Sequence, residues 1–176
     1  MRISVRKITF YAIMLALSLA LSIAESFIPF SIPGLKIGLA NIITLILLCN
    51  FGFFPAFAVN IGRVLLTSLI LGNFLQMGFF MSFAGSMLSL ITMTLAYIFL
   101  KRLTMVGVSL IGAFFHILAQ FMVALLYFGS WSIFYYFPLT MVFSLASGIA
   151  IGIIALLISS MKSFERIKGK PAEEAK

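Results

Sequence analysis

The sequence contains no aspartate, and only four of its 176 residues are acidic, all of them glutamates. Glu165, Glu173 and Glu174 lie near the C-terminus, which leaves Glu25 as the single acid in the apolar part of the chain. Hard divalent cations need several carboxylates, so no magnesium or calcium site can be assembled from this stretch. Cys49 is the only cysteine and His116 the only histidine. An intramolecular disulfide is therefore impossible, and a thiol or imidazole cluster for zinc is not expected. No nucleophile–base pair, glycine-rich phosphate cradle with lysine, or ATP site is present. The chain is not expected to be an enzyme or to carry a cofactor. Charged residues make up 9% of the chain, against about 25% in soluble domains.

What remains is apolar. Hydrophobic residues make up 63% of the sequence, in continuous runs rather than alternation, which favours membrane helices over a barrel. A span takes about 20 mostly apolar residues. Six spans with short loops use nearly the whole chain, so the expected architecture is all-α: an integral membrane bundle of six transmembrane helices over 1–161. A charged tail follows over 162–176, of disordered character. The pattern predicts helices over about Ile8–Ile28, Ile37–Asn50 (short), Ala56–Leu71, Met77–Leu100, Val108–Phe128 and Phe137–Met161. Pro29–Lys36 reads as a loop, Phe51–Pro55 as a tight turn, and Gly129–Tyr136 as a further loop. A cleaved signal peptide is not expected, because the first apolar run exceeds the usual about 7–15 residues.

The formal net charge is +8, but the charges sit at helix ends, so topology explains them better than nucleic acid does. Arg2, Arg6 and Lys7 precede the first helix, Lys101 and Arg102 follow the fourth, and five more cations lie in the tail. With six spans all ten share one side, and Lys36 alone marks the other. The expectation is a multi-pass plasma-membrane protein with both termini in the cytoplasm. Trp131, Tyr135 and Tyr136 suit an aromatic belt at the outer boundary, and Tyr11 and Tyr97 suit the inner one.

Polar groups inside hydrocarbon are functional candidates. Arg63, mid-helix, costs about 2.5–3.5 kcal/mol on insertion scales and needs a partner or water. Asn60, Arg63 and Thr67 share its helical face. An ion pair with Glu25 accounts for Arg63, a ligand does, or both do, since the pair does not exclude ligand contact. Lys36, near Asn41 at the start of the second helix, either holds an anion or touches lipid headgroups. His116 and Gln120 share a face of the fifth helix and either bind a ligand or bond a neighbouring helix. Asn73 and Gln76 line a cavity mouth or cap a loop. Phe79, Phe80 and Phe83 offer a stacking platform or face lipid. On the first helix Ala12, Ala16, Ala20 and Ala24 form a small-residue stripe, with Ser18, Ser22 and Ser26 as a second row. Such rows let another helix approach closely, inside the protein or from a partner.

Four segments carry a resemblance: Ala-Glu-Ser-Phe-Ile-Pro at 24–29, Pro-Gly-Leu-Lys-Ile-Gly-Leu-Ala-Asn at 33–41, Gly-Arg-Val-Leu-Leu-Thr-Ser-Leu at 62–69, and His116 with Gln120. Over about Ala12 to Leu157 the chain resembles the Gx transporter family, also catalogued as heptaprenyl diphosphate synthase component I. It is similar to the S components of energy-coupling factor transporters. The resemblance implies a six-helix protein with an outward ligand cavity, docked on a transmembrane coupling protein and two ATPase subunits. It implies that Ala12, Ala16, Ala20 and Ala24 form the docking face. It also implies a flavin nucleotide as a candidate ligand, its phosphates on Lys36 and Arg63.

Three functions are compatible with these residues. The first is the substrate-binding subunit of such a transporter for a small anionic or aromatic molecule, with Glu25, Lys36, Asn41, Asn60, Arg63, His116 and Gln120 as the binding set. The second is a non-catalytic membrane accessory of prenyl diphosphate synthesis; the lack of aspartate excludes the catalytic subunit. The third is a stand-alone carrier coupled through Glu25 and His116.

Overall fold

The computed structural model describes residues 5–28, 36 and 38–161. The segment 29–35, which holds Pro29, Pro33 and Gly34, lies outside the described residues, as do Arg2 and the tail 162–176. Six α-helices follow one another: α1 (Val5–Ser26), α2 (Asn41–Phe51), α3 (Phe53–Ile70), α4 (Met77–Phe99), α5 (Met105–Phe128) and α6 (Phe137–Ser159). A short 3-10 helix, Trp131–Tyr136, precedes α6. No strand occurs among the described residues.

Five of the helices are long and apolar enough to cross a membrane. The exception is α2, whose 11 residues rise only about 16 Å, roughly half of a hydrocarbon core of about 30 Å. It starts at Asn41 rather than Ile37, because Gly38 takes a φ of +92°, which a right-handed helix does not contain; the Lys36 and Gly38 N–H groups are bonded by side chains of α5 and α1. The expected turn over Phe51–Pro55 shrinks to one residue, Gly52, whose φ of +91° is open to glycine and strained for other residues. Pro55 then falls in the first turn of α3, where its missing N–H is no loss. The expected loop over Gly129–Tyr136 is largely the 3-10 helix.

Each span places apolar side chains outside and polar ones inside. Leu69, Ile70, Leu126, Phe143 and Ile153 are exposed, while Glu25, Asn60, Arg63, His116 and Gln120 are all at most 3% exposed. A soluble protein shows the reverse; burying the polar set against an apolar surround is what hydrocarbon demands. The chain is thus a multi-pass membrane protein. Helix α4 packs along α5 and α5 along α6, while α3 lies against α1, α2 and α4. The α5–α6 contact is close: a Cβ on Gly152 would stand 2.5 Å from the Val106 Cα. Buried α2 residues Leu45, Leu47 and Leu48 join Phe10, Val59 and Leu90 in the main apolar cluster.

Candidate functional site

The polar residues converge where α1, α3 and α4 meet the connection into α2. Arg63, 3% exposed, projects from the middle of α3. Its Nη1 donates to Ser22 Oγ at 3.0 Å, and its Nη2 donates to Asn60 Oδ1 at 2.8 Å. Asn60 is itself fixed, since its Nδ2 donates to the Ser86 carbonyl at 3.2 Å. The guanidinium is held at one edge, and Nε has no partner. The alternative of a direct ion pair with Glu25 is not what forms. Glu25 Oε1 instead accepts the Gly38 N–H, and Oε2 is unpartnered. Glu25 is within electrostatic reach of Arg63 and Lys36 without contact.

Lys36 and Gly38 are held from two sides. The Lys36 N–H donates to Gln120 Oε1 at 3.0 Å, while Glu25 takes the Gly38 N–H. This directs the Lys36 side chain inward, where it is 8% exposed. It lies in the connection between helices, and burial pushes its ammonium below the usual lysine range; the nearby Glu25 carboxylate opposes this and the Arg63 charge adds to it. Lys36 therefore meets protein rather than a headgroup surface.

His116 joins the same scaffold. Gln120 uses its oxygen on the Lys36 N–H, so its Nε2 is the atom that faces His116 Nε2, at 2.8 Å. A neutral imidazole has one donor and one acceptor nitrogen, so Nε2 accepts and the proton sits on Nδ1. Asn41 stands opposite, 3.2 Å from Nδ1 and 3.5 Å from Ser89 Oγ. A half-turn of its amide would set Oδ1 against the Nδ1–H and leave Nδ2 in the place where Oδ1 has no partner. The histidine bonds neighbouring helices in this arrangement, and Asn41 leaves the α2 N-terminus without a side-chain cap.

A small pocket lies between these groups, lined by Ser22, Lys36, Arg63, Thr67, Phe79 and Ser82 among others. Thr67 Oγ1 and Ser82 Oγ are buried and unpartnered, as is Arg63 Nε. Asn73 and Gly78 also line it, which puts its rim at the α3–α4 turn. Gln76 does not join them; it stands just before α4 and bonds the Gly72 carbonyl. Of the expected binding set, Lys36 and Arg63 line the pocket, Glu25, Asn60 and Gln120 orient them, and Asn41 and His116 sit behind. Of the phenylalanines, Phe79 lines the pocket and stacks on Phe83 at 5.9 Å, while Phe80 and Phe83 are exposed.

Ser82 was not among the residues expected at the site. Its signal was present as Ser82, Ser86 and Ser89, spaced four and three apart along an apolar helix and therefore on one face; all three are buried. On α1 the two small rows separate: Ser18 and Ser22 are buried, while Ala12, Ala16, Ala20 and Ala24 are all exposed. The alanine stripe thus does not pack inside the described part of the chain.

A family model described as heptaprenyl diphosphate synthase component I matches residues 14–158. No curated protein and no solved structure matches the chain.

Proposed function

The chain belongs to the family of heptaprenyl diphosphate synthase component I, and from that premise we propose that it is the substrate-binding membrane subunit of an energy-coupling-factor-like transporter for a small anionic molecule. The observation that carries this reading is the pair of buried cations, Lys36 and Arg63, set beside one carboxylate with no direct ion pair between them. Two cations against one acid leave excess positive charge whichever form Glu25 takes. Sheltering such charge is costly unless something negative completes it. Phe79 at the pocket wall, stacked on the exposed Phe83, suits an aromatic body on that ligand, and a flavin nucleotide has both features.

The second half of the proposal is the alanine stripe. Four exposed alanines on one face of α1 suit close approach by a helix of another subunit. A "component" works with partner subunits, and the proposed ones are a transmembrane coupling protein with two ATPases. The placement of lysine and arginine supports both termini in the cytoplasm, with the pocket in the outer half. Co-purification with a coupling protein and ATPases tests this directly. Ala16→Trp should abolish association while leaving the fold intact; association and transport that survive it would refute the docking face.

The family description favours one other reading, a non-catalytic membrane accessory of prenyl diphosphate synthesis. Prenyl product formation by the catalytic partner, measured with and without this chain, separates the two: the transporter reading expects no change.

A further inference from the structure

We propose that the pocket between α1, α3 and α4 is a subsite for a single acid group, a phosphomonoester or carboxylate head, and that it prefers such a head to a diphosphate. The proposal rests on the anion-binding reading above and narrows it. Three buried polar atoms from two helices have no partner and belong to pocket-lining residues: Arg63 Nε, Thr67 Oγ1 and Ser82 Oγ. Arg63 is committed at its other two nitrogens to Ser22 and Asn60. Nε is the guanidinium nitrogen with no bond inside the protein, and Nη1 and Nη2 each keep a second N–H beyond the one bond they make. Thr67 is one helical turn beyond Arg63, and Ser82 faces them from α4. The Lys36 side chain closes the set. Nε–H, two hydroxyls and an ammonium form a donor-rich set of the kind that an oxyanion satisfies.

Size and charge choose among oxyanions. The cavity measures about 10 Å³, close to the space of a single water. One oxygen of an acid group fits there, with the rest of the head at the rim beside Asn73 and Gly78. A diphosphate has a second phosphorus centre and more negative charge than a single head, set against two cations, Lys36 and Arg63, offset by Glu25. The body of the ligand then leaves along Phe79, the aromatic wall residue nearest the rim.

The test is thermal unfolding of the detergent-solubilised full chain in inorganic phosphate, acetate or pyrophosphate, each against chloride of matched ionic strength. Phosphate or acetate should give a saturable rise in melting temperature beyond chloride, with pyrophosphate needing at least tenfold higher concentration. Thr67→Val and Ser82→Ala each remove one hydroxyl with little change of shape. Each should weaken the effective acid by about tenfold, the scale of a lost hydrogen bond to a charged group, and Thr67→Ser should restore it. Pyrophosphate acting at equal or lower concentration than phosphate would overturn the single-head subsite while leaving an anion site in place. No rise beyond chloride, or full affinity in both hydroxyl variants, would overturn the subsite outright. Association with ATPase subunits is read separately, so failure here is distinguishable from failure of the transporter reading.

Discussion

Gln120→Leu removes the residue that ties the Lys36 segment to the histidine network. Gln120 is fully buried and makes two bonds: its oxygen accepts the Lys36 N–H at 3.0 Å, and its nitrogen donates to His116 Nε2 at 2.8 Å. Leucine has nearly the same bulk and answers neither. Each orphaned buried group costs about 1–3 kcal/mol, so the pair amounts to about 2–6 kcal/mol, less what the added apolar contact returns. For a chain of this length 1 kcal/mol moves the melting temperature by about 2–4 °C, so a net loss of about 2 kcal/mol means about 4–8 °C. The assay is thermal unfolding in detergent, run on Gln120→Leu, His116→Leu and the double variant. Because the two residues share a bond, their effects should fall short of additive by about 0.5–3 kcal/mol. A Gln120→Leu protein melting within about 1 °C of the wild type, or strict additivity with His116→Leu, would refute the latch.

Gly152→Ala should destabilise by about 1–3 kcal/mol through overpacking. The new Cβ would lie 2.5 Å from a backbone atom of Val106, which cannot swing aside; thermal unfolding reads it, and an unchanged melting point would contradict the close α5–α6 contact. Lys36 gives two opposite pH trends. Its folded-state pKa is below the usual 10.5, so in the alkaline window beneath that value the unfolded chain holds more protons, and stability should rise with pH there. Anion affinity should fall over the same window as the ammonium is lost, and Lys36→Met should flatten both curves. Glu25→Gln should keep the acceptor for the Gly38 N–H and tighten phosphate binding, because it removes the one negative charge near the pocket; isothermal titration with inorganic phosphate measures this, and weaker binding would count against the charge argument.

The membrane class and the helix order were legible in composition and in runs of apolar residues, because a bilayer imposes length and polarity on every span. The boundaries of α2 were not. Hydropathy reads Ile37–Ala40 as more helix, whereas Gly38 turns to a positive φ and its N–H goes to Glu25, distant in sequence. Arg63 and Lys36 stood out because charge in an apolar chain is costly wherever it lies. Thr67 shared the Arg63 face by spacing, but Ser82 was harder to single out, since serine is unremarkable in membrane helices and only the third dimension leaves its hydroxyl unpartnered. The Arg63–Glu25 pairing looked natural by charge alone. Ser22 and Asn60 intervene because they lie on faces already turned to the guanidinium, while the Gly38 amide takes the carboxylate.

Native mass spectrometry of the wild type and Arg63→Gln, released gently from detergent, tests the anion site most directly. The wild type should retain one small molecule that bears an acid group, and a folded Arg63→Gln protein should lose it. Equal retention by both proteins, or a retained molecule with no acid group, would contradict an anion held by Arg63.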